Sequence, residues 1–321
     1  MLAACAVAID REDPLSGLAL LDRPEPRPDE GWTTVTVMAA ALNHHDLWSL
    51  QGVGLDESRL PMVLGCDAAG ITSDGTEVVV HAVIGDSVAY PDETLDPKRT
   101  LLSEVHDGTL AEQVAVPVRN LLPKPPALGW EEAACLPTAW LTAYRMLTRD
   151  SGLTPGGTVL VQGAGGGVST ALIMLGQALG LRVWVTSRDP AKGERAVALG
   201  ADRAFPSGAR LPEKVDAVME TVGRATWGHS LRALRPGGTV VVSGATSGDD
   251  PPSELKRVFF LQLRVIGSTM GSRAELEALI DLMVRHGVRP PVDSVFPLAD
   301  ARGALARLAA GEAFGKIVVR P

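Results

Sequence analysis

Cysteine is scarce in this chain: three in 321 residues, Cys5, Cys66 and Cys135, odd in number and far apart. That spacing excludes a disulfide framework and any four-cysteine structural zinc, and fits a reducing, cytoplasmic setting. Aromatic residues make up 4%, and only two are tyrosines, Tyr90 and Tyr144, so phenolic proton donors are few. No apolar run reaches the ~18 residues that a spanning helix requires. The apolar start, Met1 to Ile9, lacks a basic flank and runs into Asp10-Arg11-Glu12-Asp13, which reads as a buried first strand rather than a signal peptide. Positive charge is also short: 30 Lys and Arg against 38 Asp and Glu leave a net charge of −8, the wrong sign for neutralising a polynucleotide backbone. Neither a nucleic acid nor a membrane is therefore expected as a partner.

What is present is apolar mass, 45% of the residues, in a chain long enough for two domains. Residues 1 to about 120 carry short β-type runs, such as Thr34 to Val37, Glu77 to Val80 and Glu112 to Val116, punctuated by Gly, Asp and Pro. From about 122 the texture changes to alternating strand and helix. Strands are expected at Thr158 to Gln162, Arg182 to Thr186, Val215 to Met219, Thr239 to Ser243 and Leu263 to Ile266. Helices are expected up to Leu179, over Pro190 to Leu199 and around Thr226 to Leu234. This alternation predicts a parallel, doubly wound sheet. Ser272 and Glu275 form a capping box before a helix with Leu276, Leu279, Ile280, Met283 and Val284 on one face. After Pro290-Pro291 the chain returns to a strand, a helix (Ala299 to Ala309) and a closing strand (Ile317 to Val319) that complete the first domain. The expected division is 1–121 with 290–321 for the β-rich domain and 122–289 for the doubly wound one.

The segment Gly163-Ala164-Gly165-Gly166-Gly167-Val168-Ser169 ends the first parallel strand and opens an apolar helix. Glycines there let the backbone turn tightly and approach a pyrophosphate, which the helix amides hold, so the segment predicts dinucleotide binding. The usual third glycine is Ser169. The next strand ends in Ser187-Arg188, with Lys192 four residues on, where an NAD site would place a carboxylate on the ribose diol. A hydroxyl and cations suit a 2′-phosphate instead, and Asp189-Pro190 reads as the cap of the next helix. The cofactor expected is NADP(H).

Taken together, Leu42-Asn43-His44-His45-Asp46-Leu47, Leu64-Gly65-Cys66-Asp67-Ala68-Ala69-Gly70, Asp107 to Glu112, Leu141-Thr142-Ala143-Tyr144, the glycine loop, Pro236 to Thr239, Gly244 to Gly248 and Phe314-Gly315-Lys316 resemble the medium-chain dehydrogenase/reductase superfamily, in particular its zinc-independent quinone-oxidoreductase-like branch. The resemblance covers nearly the whole chain. It implies a GroES-like β-rich catalytic domain built from both termini, a Rossmann domain, and a cleft for nicotinamide and substrate. By the same resemblance Asn43, Thr142, Gly244, Ala245, Thr246, Ser268, Thr269, Met270 and Lys316 lie near the cofactor, and a homodimer forms through the edge of the Rossmann sheet.

Zinc alcohol dehydrogenases of the superfamily have Cys where this chain has Asn43, His where it has Cys66, and a third ligand near Thr138. Only Cys66 is a soft ligand, while a catalytic zinc needs three protein ligands, so no metal is expected. Without a metal, hydride transfer to a quinone or an α,β-unsaturated carbonyl is easier than oxidation of a plain alcohol, because the acceptor delocalises the incoming charge. Asn43 could donate a hydrogen bond near the nicotinamide. His45 stands where zinc relatives carry a proton-relay hydroxyl and is the candidate acid; Asp46 matches a supporting acid, and Trp48 could wall the substrate. The alternatives are an alcohol or aldehyde dehydrogenase using a residual site at Cys66, and a noncatalytic NADPH-binding sensor or scaffold.

Overall fold

The computed structural model describes residues 1–321, which form two compact units. The first comprises 1–141, 270–284 and 289–321; the second comprises 142–269 and 285–288.

In the first unit a seven-stranded sheet is organised around the strand Trp32–Ala41. Its beginning alternates, with Val35 and Val37 buried and Thr36 exposed, as a half-buried strand should. Its end, Ala39 to Ala41, is buried throughout, because Ala40 and Ala41 are paired on both sides. They face Ala68 and Asp67 of the strand Asp67–Thr72, and Val319 and Val318 of Lys316–Arg320. The remaining strands are Leu121–Pro123 and Glu77–Val80 on one side, Val292–Pro297 beyond Lys316–Arg320 on the other, and Gln113–Pro117 against the front half of Trp32–Ala41. A three-stranded sheet joins Leu18–Asp22, Leu2–Ala6 and Met62–Val63, so the apolar N-terminus is a buried strand. The main core of this unit packs Val35, Leu64, Val80, Leu110, Leu305 and Val319. The C-terminal strand thus closes a sheet begun by residue 32, which makes the unit discontinuous in sequence.

The second unit has six strands, all parallel, in the order Arg203–Pro206, Arg182–Ser187, Thr158–Gln162, Val215–Glu220, Leu234–Val242, Arg264–Gly267. In chain order that is 3-2-1-4-5-6, the Rossmann arrangement, with the strand order reversing beside the first strand. Val159 to Val161, Val183 to Val185, and Val240 with Val241 are buried continuously, as expected of strands covered on both faces. Leu234, expected to end a helix, instead begins a strand: the helix is Arg224–Ala233, and Leu234 pairs with Val215 before an irregularity in the register. The helix Gly167–Ala178 packs closely on the sheet at Gly176, where a Cβ would come within 2.7 Å of Val183, rather than at Ser169.

Glu220 ends the central strand Val215–Glu220 with no exposure to solvent. Its carboxylate accepts hydrogen bonds from the backbone of Val222 (2.8 Å) and Gly223 (3.0 Å) and from the hydroxyls of Thr226 (2.8 Å) and Ser230 (2.5 Å). Gln162 extends the network, donating to Ser230 and to His229 Nδ1 (both 2.9 Å) and accepting from Thr186 (2.7 Å). A buried carboxyl group is tolerated only with such a complete set of hydrogen-bond partners. Replacing Glu220 by Ala orphans the donors, and we expect a loss of at least ~1–3 kcal/mol in urea unfolding; a change too small to resolve would show that water satisfies them instead.

Candidate active site

The strand Lys316–Arg320 starts beside the end of Trp32–Ala41, and this brings the Lys316 side chain to residues 42 and 43. Its Nζ donates to the carbonyl of Leu42 and to Asn43 Oδ1, both at 2.6 Å, and lies 3.4 Å from Asp67 Oδ2. Lys316 is 3% exposed and Asp67 not at all. Asn43 Nδ2 donates to Asp67 Oδ2 at 2.8 Å, with Ala41 O at 3.3 Å and Cys66 Sγ at 3.7 Å. Thr138, held in a widened, π-type turn over Leu136–Trp140, donates to Asp67 Oδ1 at 2.5 Å and lies 3.4 Å from Cys66 Sγ. Asn43, Cys66 and Thr138, which the resemblance sets at or near the metal-ligand positions of the zinc relatives, therefore converge around Asp67. Here they carry an amide, a thiol and a hydroxyl, closed by an ammonium. This set does not fit a catalytic zinc: only Cys66 is a soft donor, Asn43 Oδ1 is already engaged, and a cation already faces the carboxylate.

Asp46 lies one turn into the helix His44–Leu50 and completes a capping box, accepting from the backbone of Asn43 (2.8 Å) and Gly65 (3.1 Å). Burial pushes its carboxyl up to about 7, against the pull of those two amides. Burial also raises Asp67, opposed by the Lys316 ammonium and by Asn43 and Thr138. The Cys66 thiol is pushed well above its ordinary value, first by burial and then by Asp67 and Asp46, so it stays protonated and unreactive. Cys5 and Cys135 are also buried, with thiols pushed up to about 11 and about 12 by desolvation.

His45 and Trp48 share the helix His44–Leu50 but not the Asp67 cluster. His45 Nε2 is 3.4 Å from Ser49 Oγ and 3.7 Å from Glu104 Oε1, and the ring is mostly buried. Burial drives its imidazole down to about 4, so it is neutral at pH 7. Trp48 is half-buried and tilted against His44, with ring centroids 6.3 Å apart.

In the second unit the expected cofactor residues fall at the carboxyl ends of the parallel strands, where doubly wound folds bind ligands. Gly163 to Val168 follow Thr158–Gln162, Ser187 and Arg188 end Arg182–Ser187, Gly244 to Thr246 follow Leu234–Val242, and Ser268 and Thr269 follow Arg264–Gly267. Gly163 has φ +87°, a value that requires glycine, whereas Gly166 has open space where a Cβ would project, with only Ser169 Oγ at 3.9 Å. No side chain caps the helix that begins there, so its first amides are free to meet a phosphate. Asp189 caps the helix Pro190–Leu199 by accepting from Ala191 at 2.9 Å, which commits its carboxylate, and Arg188 is exposed beside it. Ser187 Oγ donates to the carbonyl of Asp189 (2.7 Å), Lys192 is half-buried on the helix that follows, and Thr142 opens this unit. Met270, with φ +49°, packs on the core of the first unit. The loop at Gly244 to Thr246 is tied to the neighbouring strand end by Thr246 N–H donating to Thr221 O (3.4 Å).

Two models of known families match this chain, one described as an alcohol dehydrogenase GroES-like domain over residues 29–126 and one as a zinc-binding dehydrogenase over 196–319. An acryloyl-coenzyme A reductase of Metallosphaera sedula is 31% identical over 84% of this chain and 86% of its own length. The chain belongs to the medium-chain dehydrogenase/reductase superfamily. It is an oxidoreductase with the GroES-like and Rossmann folds of that superfamily. Two solved structures are similar over nearly the whole chain. One is described as an NAD-dependent alcohol dehydrogenase (TM-score 0.92, 33% identity, all of both chains), the other as the 2-octenoyl-CoA carboxylase reductase CinF with NADP and 2-octenoyl-CoA (TM-score 0.91, 26% identity, 99% of this chain and 87% of that one).

Sequence reasoning named Asn43, Asp46 and Lys316 but missed that Asp67 holds Asn43 and Lys316 together while Thr138 meets its other oxygen, and it missed Glu104. The signal for Asp67 was a carboxylate starting an otherwise apolar strand, which has to meet a partner when buried. The ordinary value of an aspartate, 3.8, describes Asp46 in the unfolded chain, while the folded group keeps its proton to about pH 7. The folded state thus binds the extra proton between those values, and the stability this group contributes is complete at the acid end and lost as pH rises to 7. Relative to Asp46→Asn, the wild-type melting temperature should fall between pH 4 and pH 7 and level off above; a difference that stays constant across that window would contradict the assignment.

Proposed function

We propose that this protein is a zinc-independent, NADPH-dependent reductase of α,β-unsaturated carbonyl compounds, thioesters foremost and quinones secondarily. The observation that carries the reading is the donor set at positions 43, 66 and 138. With Asn, Cys and Thr there and an ammonium among them, the substrate has to delocalise its own charge, as a conjugated carbonyl does. The names of the Metallosphaera relative and of CinF support the thioester. The structure described as an NAD-dependent alcohol dehydrogenase is the strongest case for the alternative, an alcohol or aldehyde dehydrogenase. Against it stands the metal-poor donor set. The end of the second parallel strand, Ser187-Arg188 followed by an Asp189 committed to a helix cap, supports NADP(H) over NAD. A noncatalytic NADPH sensor is the remaining reading, which turnover on any acceptor would end.

When bound, NADPH supplies a hydride that forms the new C–H bond at the β-carbon as the C=C π electrons move onto the carbonyl oxygen. The chain has to hold the pyrophosphate on the amides after Gly166, hold the 2′-phosphate at Ser187, Arg188 and Lys192, and meet the developing oxyanion. His45 is assigned this last role. As a neutral imidazole it offers an N–H hydrogen bond to the oxyanion without burying a second charge, and a proton from water reaches the α-carbon as the enolate electrons return to it, which completes the reduction. The edge strand Arg264–Gly267 has one neighbour only and exposes Val265, and the helix that precedes it, Leu255–Phe260, exposes Leu255, Phe259 and Phe260, which supports the homodimer.

NADPH oxidation with enoyl thioesters, enones, quinones, aldehydes and alcohols, in the presence of a chelator, tests the reaction. Turnover confined to alcohols and abolished by the chelator would sink it. Arg188→Ala should weaken NADPH binding at least ~10-fold while leaving NADH nearly unchanged, in line with the loss of one charge-assisted contact of ~1.5–3 kcal/mol; equal losses would refute the phosphate assignment. His45→Ala should lower kcat by ~10²-fold or more with little change in KM, the range for loss of one oxyanion hydrogen-bond donor.

A further inference from the structure

The pocket around Asp67 holds most of what a metal site needs in the wrong electrostatic state. Thr138 Oγ1 lies 2.5 Å from Asp67 Oδ1 and 3.4 Å from Cys66 Sγ, the Asn43 amide turns its nitrogen to Asp67 Oδ2 and Cys66 and its oxygen to Lys316, and Asp67 and Cys66 have no solvent exposure. The Lys316 Nζ occupies the cation's place. It is held by three oxygens, at 2.6 Å from Leu42 O, 2.6 Å from Asn43 Oδ1 and 3.4 Å from Asp67 Oδ2, and those are the three acceptors an ammonium can serve. A divalent ion on Asp67 would stand within a few ångströms of this fixed charge in a medium that screens it poorly, and it would have to take Asn43 Oδ1 from it.

We propose that the Lys316 ammonium is the resident cation of this pocket and excludes divalent metals from it, leaving a latent site of Asp67, Cys66, Asn43 and Thr138 that only the loss of Lys316 exposes. Asp67 then gains the freedom to bind a metal through oxygen. Cys66 joins by releasing its thiol proton to solvent as the sulfur–metal bond forms, so the exchange leaves no oxidised or reduced product. Nothing in this inference depends on which substrate the protein reduces.

The test is cobalt(II) titration of the full-length protein, read by retention after gel filtration and by the thiolate-to-cobalt charge-transfer absorption in the near ultraviolet. Wild type should show neither. Lys316→Ala should retain about one cobalt per chain, with affinity raised by ~10–100-fold, the range that changes beside metal ligands span, and the absorption should vanish in Lys316→Ala combined with Cys66→Ser. A folded Lys316→Ala protein, checked by circular dichroism, that binds no more cobalt than wild type overturns the proposal. So does a wild-type protein that shows the Cys66-dependent band. Thr138→Cys asks the same question with the ion pair intact: it adds a second thiol, and if the ammonium excludes metals it still takes up no cobalt, whereas a cobalt–thiolate band in this variant refutes the exclusion.

Discussion

The ion pair between Lys316 and Asp67 is formed by residues 249 positions apart, and both are withdrawn from water. Removing two charges from solvent costs several kcal/mol per ion unless further hydrogen bonds meet them, and that requirement explains the residues nearby. Asn43 bridges the pair, its oxygen facing the ammonium and its nitrogen the carboxylate. Thr138 covers the second carboxylate oxygen, and the Leu42 carbonyl takes another ammonium proton. Both ends of the Asn43 amide are therefore engaged within the protein, and the helix His44–Leu50 that begins after it inherits a fixed start. His45 and Trp48, projecting from that helix, are held by the same arrangement at one remove.

The second unit solves a related problem by other means. Glu220 has no cation, and its carboxylate is satisfied by amides and hydroxyls alone. Because Gln162 and Thr186 join this network, three adjacent parallel strands are pinned at their carboxyl ends; the glycine turn and the Ser187-Arg188 pair emerge from two of them, and the 244–246 loop is tied to the residue that follows the third. Rigid strand ends and an uncapped helix start are complementary: one fixes the position of the other's free amides.

How much of this could be read beforehand follows the range of each interaction. Glu77–Val80, Thr158–Gln162 and Pro190–Leu199 are written in periodicity and caps, and the Ser272 and Glu275 box closes as its spacing indicates, with backbone and side chain exchanging bonds at 2.8 and 3.2 Å. The turn at Leu234 is not written locally, since a helical pattern runs through it and pairing with Val215 decides the outcome. The Asp67 cluster is less readable still. Its members lie in four separate segments, and only the antiparallel pairing of Ala40 and Ala41 with Val319 and Val318 brings Lys316 to them. Resemblance placed Lys316 near a cofactor; it could not say that the side chain would turn to Asn43.

The discontinuity of the first unit also sets an order of events during synthesis. Domains form largely as they emerge, at ~5–20 residues per second, so Asp67 and Asn43 are made some tens of seconds before Lys316. Through that interval the second unit can assemble its parallel sheet, while the first has a carboxylate awaiting its counter-charge and a central strand whose end, Ala40 and Ala41, is unpaired on one side. Completion of the charge-balanced pocket and completion of the sheet are then a single event, governed by the arrival of one strand.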